Sequence, residues 1–210
     1  MIGIIDYKAG NAPSVLNALH SLSIPSSLVS SSDDIEKSKG IILPGVGSAK
    51  ATMESLKEMG CLETIEKKVL RDETPFLGIC VGLQVLFEHS EEGDADCLGW
   101  LPGTVKRFPE DNVRVPQIGW NKARFIKNHT ILSGLNTSEF FYFVNSYYVA
   151  PQNNIDILAM TEYGIEFCSM VARKNIFASQ FHIEKSGATG LKLLRNFAHL
   201  AGGELCLQKD

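Results

Sequence analysis

The sequence predicts an α/β fold: a mostly parallel central sheet with helices on both faces and an antiparallel extension. Three observations predict it. In the first half, short apolar runs alternate with segments of helical period, the pattern of parallel strands joined by crossover helices. The first of those runs, Ile2 to Ile5, is apolar throughout, as a strand buried on both faces is. From about Leu98 to Ala172, strand-like runs instead follow one another with only polar turns between them.

Ile2 to Ile5 reads as the first strand and ends at Asp6. Gly10 and Asn11 make a turn, and Pro13 sits where a helix begins, with Val15, Leu19 and Leu22 on its apolar face. Ile24 to Val29 is a second strand. Gly40-Ile41-Ile42-Leu43 is a third, cut off by Pro44-Gly45-Val46-Gly47. Met53, Leu56 and Met59 mark a helix that Gly60 closes, and Leu62, Ile65 and Val69 mark another. Phe76 to Ile79 is a fourth strand, followed by a helix through Leu83, Leu86 and Phe87. The antiparallel runs are Gly103 to Arg107, Lys122 to Ile126, Phe140 to Val149 and Phe167 to Arg173. Ile176 to Phe181 is the last strand, and Ser186 then caps a helix through Leu191, Leu194 and Ala198. The tail from Gly202 to Asp210 is expected to be mobile. With no repeat, low-complexity tract or linker, residues 1–210 read as a single domain.

Hydrophobic residues make up 44% and charged residues 21% of the 210, an ordinary globular composition. The formal net charge is −4, with no block of Lys and Arg. Nucleic-acid binding by phosphate neutralisation and polybasic membrane attachment are therefore disfavoured. Five cysteines stand at irregular spacings without a C-x-x-C, which argues against a disulfide framework and a structural zinc. No apolar run approaches the length of a membrane span, and the N-terminus lacks a basic leader. A reducing cytoplasm is the expected location.

Gly78-Ile79-Cys80-Val81-Gly82 is the sharpest local signal. A nucleophile displayed on a tight strand-to-helix turn needs a strained backbone, and glycines two residues either side remove Cβ atoms that would clash. The following helix N-terminus aims free N–H groups at the sulfur, favouring thiolate. With 5 Cys and 18 Gly in 210 residues, chance gives about 0.04 occurrences of G-x-C-x-G. A small cysteine buried in a tight turn fits the pentapeptide too.

Gln180-Phe181-His182-Ile183-Glu184-Lys185 is the second signal. In an extended segment residues i and i+2 face the same way, so His182 and Glu184 can share one side. A carboxylate beside an imidazole fixes its tautomer and stabilises its charged form. The strand before Cys80 ends at the same sheet edge, where α/β active sites lie. Taken without Cys80, His182 also fits a locally bonded histidine and Glu184 a helix N-terminal charge. His20 and His199 fall in helical patterns, His129 in a polar turn and His89 on the helix after Cys80. Pro44-Gly45-Val46-Gly47 is the third signal: such a turn can present N–H groups to an oxyanion, though an ordinary strand-to-helix turn reads alike. No G-K-[ST] follows, so nucleotide binding is a poor fit.

Together, G-I-C-V-G, P-G-V-G and the late F-H-x-E resemble the class I glutamine amidotransferase family, which has a flavodoxin-like fold and a Cys-His-Glu triad. Asp6-Tyr7-Lys8-Ala9-Gly10-Asn11 is similar to one branch's D-Y-G-x-G-N opening. Pro116-Gln117-Ile118-Gly119-Trp120-Asn121 is similar to P-H-M-G-W-N, and Tyr142-Phe143-Val144-Asn145-Ser146-Tyr147 to Y-F-V-H-S-Y. That branch serves a synthase of histidine biosynthesis, and the likeness runs from residue 2 to about 200.

The resemblance implies that Cys80 attacks the side-chain amide of L-glutamine. His182 protonates the departing ammonia and later activates water, and Glu184 orients His182. The oxyanion is held by the Val81 N–H and by an N–H from the Gly45-Val46 turn, which flips into place when the partner is loaded. Gln84 and Glu92 grip the amino-acid end of glutamine, with Gly47, Ser146 and Tyr147 also at the substrate. Asn11, Trp120, Tyr142 and Lys185 face the partner, a synthase (cyclase) subunit of (β/α)8 fold in a heterodimer. Trp120 and Tyr142 also fit core aromatics, and Glu92 a solvated loop charge. No metal or cofactor is implied.

Four positions depart from the pattern: Lys8 for Gly, Gln117 for His, Asn145 for His and Ile183 for Pro. None removes a triad member. Three fall in partner-facing or regulatory segments, which leaves open a paralogue that serves another acceptor, such as a surface-polysaccharide sugar. An idle binding module and another cysteine hydrolase of the superfamily, such as a peptidase, are the remaining readings. Free ammonia is mostly protonated at neutral pH, so an amination needs a sealed route. The glutaminase fold uses about 200 residues, so the acceptor is expected on a partner chain, with weak glutaminase activity in its absence.

Overall fold

The computed structural model describes residues 1–8, 10–111 and 113–202. In the first half the strands are β1 (Ile2–Ile5), β2 (Ser26–Val29), β3 (Gly40–Gly45), β4 (Phe76–Cys80), β5 (His89–Ser90) and β6 (Ala95–Asp96). Then follow β7 (Gly103–Arg107), β8 (Gln117–Phe125), β9 (Ser138–Asn145), β10 (Tyr147–Pro151), β11 (Ile157–Tyr163), β12 (Ile165–Arg173) and β13 (Ile176–Ser179). The α-helices are α1 (Ala12–Ser21), α2 (Ser32–Glu36), α3 (Ala49–Glu58), α4 (Leu62–Glu66), α5 (Val81–Gln84) and α6 (Gly187–Leu200).

β2, β1, β3, β4 and β13 lie side by side in that order, all parallel. Every residue of β1, β3, β4 and β13 is buried. Burial at successive residues means that both faces of the sheet are covered, which explains the unbroken apolar runs. Beyond β13 the sheet turns antiparallel through β12, β10 and β7. A branch leaves β12 through β11 and β8 to β9. The α/β class with its antiparallel extension is as the sequence predicts.

Local signals place the helices. α1 carries Pro13 in its first turn and buries Val15 and Leu19. The Ser48 hydroxyl accepts the Ala51 N–H and caps α3. Ser31 does the same for α2 through the Asp34 N–H, a short helix that the apolar pattern did not reveal.

Several boundaries differ from expectation for tertiary reasons. β3 continues through Pro44 and Gly45, because these pair in register with Ile79 and Cys80. The helix after Cys80 stops at Gln84 rather than running to Phe87. The Leu86 and Phe87 N–H groups bond back only three residues, to the Leu83 and Gln84 carbonyls, which ends the α-turn, and the carbonyls of Val85, Leu86 and Phe87 accept from Leu98, Leu101 and Gly99 of a returning segment. His89 consequently lies in β5, bridged to Asp94 and Asp96, and not on a helix. The run from Phe140 to Val149 splits at Ser146 into β9 and β10, which pair with different neighbours. β11 was not foreseen. Ser186 stands at the start of α6 but its hydroxyl does not cap it; it donates to the His182 carbonyl at 2.6 Å and accepts the Tyr142 N–H at 3.0 Å. Of the tail expected to be mobile, residues 203–210 lie outside the described residues.

An aromatic cluster joins the two parts of the sheet beneath the site. Phe181, directly after β13 and its following Gln180, stacks on Phe141 of β9 at 3.9 Å between ring centres and meets Phe143 at 5.6 Å. Both Phe141 and Phe181 are fully buried, and each such ring contributes about 1.5–3 kcal/mol. The residue before His182 is thus anchored in the core.

Candidate active site

β3, β4 and β13 end together at one edge of the sheet: Gly45 stands opposite Cys80, and Ser179 opposite Ile79. Parallel pairing therefore gathers the turn after β3, the turn after β4 and the segment after β13.

Cys80 ends β4 with φ 56° and ψ −109° and is 4% exposed. Space, rather than flexibility, explains its glycines. A Cβ on Gly78 would lie 2.4 Å from the Gly82 carbonyl oxygen, and one on Gly82 would lie 2.0 Å from that of Leu43. A Cβ on Gly45 would lie 2.8 Å from the Gly82 nitrogen, so the third glycine also admits the turn that carries the sulfur.

His182 is gripped from its backbone outward. Its N–H donates to the Tyr142 carbonyl at 2.9 Å, and its carbonyl accepts from Ser186. Its ring Nδ1 lies 3.0 Å from Glu184 Oε1, with both side chains nearly inaccessible to solvent. The extended geometry expected of this pair is not what joins them: Ile183–Lys185 forms a 3-10 turn, and Glu184 returns to the ring across it. Asn11 Nδ2 donates to the same Oε1 at 3.2 Å, so Asn11 supports the Glu184 carboxylate as well as lying near the surface. Burial disfavours a charged imidazole, but hydrogen bonds with Cys80 and Glu184 outweigh it and push the His182 pKa up to about 10.

Cys80 and His182 line one cavity of about 250 Å³. Val46, Gly47 and Val81 also line it, as do Gln84, Glu92, Ser146 and Tyr147, so the residues singled out in the sequence converge there. Gly45 stands behind that wall and Glu184 behind His182. Gly47 has φ +97°, a backbone state natural to glycine. Glu92 Oε2 accepts the Ala49 N–H at 3.0 Å, and burial pushes its carboxyl upward against that bond and the Arg107 charge. Glu92 is therefore a lining group that ties α3 to the cavity and not a solvated loop charge.

Pro116, Val144 and Asn145 complete the lining, and Gln180 lies against the sulfur at 3.7 Å. Sequence reasoning did not single out these four as site residues. Gln180 stands two positions before His182, but only the fold sets its side chain beside Cys80.

Of the departures, Lys8 is exposed with φ 65°, a left-handed state that the branch's glycine adopts without strain. Gln117 and Asn145 face one another across β8 and β9; both are buried, and the Gln117 amide and Asn145 Oδ1 lack partners. Ile183 is buried within the 3-10 turn.

The opposite face of the β8–β9 hairpin is apolar and open. Ile118 is 63% exposed, Trp120 57% and Phe140 56%. Trp120 pairs with Tyr142 across the ladder, ring centres 6.1 Å apart. Trp120 is thus a surface aromatic rather than a core one, and Lys185 is also exposed. Among the described residues, no helix is long and apolar enough to cross a membrane.

Residues 3–201 match the family described as glutamine amidotransferase class-I. The imidazole glycerol phosphate synthase subunit HisH of Dehalococcoides mccartyi is 47% identical over 205 residues, covering 97% of this chain and 99% of that one. HisH of Leptospira interrogans is 41% identical over 204 residues, covering 95% and 100%. The subunit HisH 2 of Pseudomonas aeruginosa is 42% identical over 201 residues, with the same coverage. Among solved structures, a glutamine amidotransferase superposes with a TM-score of 0.76 at 23% identity over 96% of this chain and 98% of that one. PurLQS from Thermotoga maritima superposes with a TM-score of 0.74 at 16% identity over 95% and 97%. At these identities the two structures speak for the fold alone.

Proposed function

The chain belongs to the class-I glutamine amidotransferase family, in the branch of the HisH subunits of imidazole glycerol phosphate synthase, and from that premise we propose how its residues carry out a glutaminase reaction. Cys80 attacks the side-chain amide carbon of L-glutamine, with N–H groups at Val81 and the Gly45-Val46 turn receiving the oxyanion. His182, held charged between Cys80 and Glu184, gives its proton to the departing nitrogen, and ammonia leaves. The resulting Cys80 thioester is hydrolysed by a water that His182 deprotonates, which releases glutamate, frees the Cys80 sulfur and returns His182 to its charged form. Gln84 Oε1 is buried without a partner and faces this need: it accepts from the substrate's ammonium, beside the Glu92 carboxylate. Gly47, Ser146 and Tyr147 complete the wall around the amino-acid end. The observation that carries the reading is the strained Cys80 sharing a cavity with an imidazole whose far nitrogen is fixed by a buried carboxylate.

The ammonia passes to a separate synthase subunit of (β/α)8 fold, which makes imidazole glycerol phosphate and AICAR in histidine biosynthesis. The face of exposed Ile118, Trp120 and Phe140 with half-buried Tyr142 supports a docked partner, because its strand β9 also touches the site. The Tyr142 carbonyl holds the His182 N–H, and the Val144 carbonyl lies 3.8 Å from Cys80 Sγ. A reducing cytoplasm suits a nucleophilic thiol. Co-purification with a candidate synthase subunit, followed by glutamate release with and without its nucleotide ligand, tests the whole reading. Weak release alone and strong release in the loaded complex are expected. Failure of a glutamine-analogue electrophile to label Cys80, together with no glutamate release in the complex, would overturn it.

A further inference from the structure

We propose that Gln180 is a positioning residue for the nucleophile: its side-chain amide hydrogen-bonds the Cys80 sulfur and links it, through Gln84, to the substrate's amino group. The inference rests on the glutaminase reading of the same site. Gln180 directly follows β13 and is fully buried. Its Nε2 donates to Cys80 Sγ at 3.7 Å, and its Oε1 accepts from Gln84 Nε2 at 3.1 Å. Gln84 is 3% exposed, and its Nε2 also donates to the Tyr147 carbonyl at 3.3 Å.

The chemistry of these partners sets the direction of the string. Only partners tell an amide's nitrogen from its oxygen. A main-chain carbonyl accepts and never donates. The Tyr147 carbonyl, which also receives Asn145 Nδ2 at 3.0 Å, therefore turns the Gln84 nitrogen toward itself. The second hydrogen on that nitrogen meets Gln180 Oε1, which leaves the Gln180 nitrogen facing sulfur. The sulfur thus has an acceptor for its thiol form, the Val144 carbonyl at 3.8 Å, and a donor for its anionic form, Gln180.

Gln84 Oε1 closes the argument. It is buried and unpartnered, on a side chain that lines the cavity. An orphaned buried acceptor is costly, and a substrate ammonium satisfies it. Hydrogen bonds in series polarise one another, so an ammonium on Gln84 strengthens the donor that Gln180 offers to the sulfur. Substrate binding and nucleophile activation are then one string of bonds.

The test uses the full chain without glutamine, so an absent glutaminase activity and an absent Gln180 effect are read separately. Gln180→Leu and Gln180→Met both remove the donor at similar volume. The readouts are the ultraviolet absorbance of the thiolate, taken as a difference against Cys80→Ala, and alkylation of Cys80 by iodoacetamide, with the half-buried Cys97 as internal reference. Each folded variant should show less thiolate absorbance than the parent protein and alkylate Cys80 about tenfold more slowly, with Cys97 unchanged. Gln84→Ala should move both signals the same way by less, and adding it to Gln180→Leu should change nothing further. A folded Gln180 variant with the parent's absorbance and rate overturns the proposal, and so do additive effects of the two sites. If neither Gln180 variant folds, a parental signal in Gln84→Ala overturns it.

Discussion

Replacing Cys80 by glycine should leave the protein more stable than replacing it by alanine, against the usual order of the two residues. Cys80 has φ 56° and ψ −109°, a combination that glycine adopts freely and that a Cβ disfavours. Holding a side chain in such a region costs about 1–3 kcal/mol. Glycine's greater freedom in the unfolded chain offsets about 0.5–1 kcal/mol of the relief. The buried Cβ contributes at most about 0.8 kcal/mol of packing. Cys80→Gly therefore exceeds Cys80→Ala by about 1 kcal/mol, or about 2–4 °C in melting temperature for a chain of this length. Urea unfolding of both inactive variants, compared at equal slope, measures the difference. An alanine variant as stable as the glycine variant, or more so, would show that the turn after β4 holds too little strain to outweigh glycine's freedom and the lost Cβ, and this estimate would fail.

Glu184→Gln removes the charge that holds the His182 ring and should lower kcat by about 10³–10⁴-fold with little change in KM, as loss of an orienting carboxylate does in comparable triads; steady-state glutamate release checks it. His182 titrates near 6.5 when unfolded and is raised to about 10 in the fold, so its contribution to stability is full below about pH 6.5 and is lost as pH rises toward 10. Unfolding free energy should accordingly fall across that window, and His182→Gln should flatten the fall. Trp120→Ala should weaken association with the synthase subunit by about 2 kcal/mol or more, measured by calorimetry, as loss of an exposed aromatic anchor does.

The site was more legible than the boundaries around it. Cys80, His182 and Glu184 stood out because each carries a local signature: glycines around the first, and a two-residue spacing between the others. The spacing selected a pair that is in contact, although the backbone joins them through a 3-10 turn. Gln180 escaped notice because a glutamine beside a strand end carries no local mark; parallel pairing of β13 with β4 is what sets it against the sulfur. Trp120 and Tyr142 read equally as core or surface, since alternation along a strand does not say which face is open. The helix after Cys80 was drawn too long because its apolar residues are buried beneath the segment Leu98 to Leu101 rather than on a helix face.

Alternation of apolar runs with helical periods determined the parallel sheet, and the G-x-C-x-G and F-H-x-E segments marked the side chains from which the candidate site is built, because both depend on backbone sterics and burial acting within a few residues. The tertiary structure alone decided how Cys80 and His182 come to line one cavity, which amides reach the sulfur and which aromatic face meets solvent. Those outcomes depend on strands far apart in the chain lying side by side, and on hydrogen bonds between segments that never meet in the sequence.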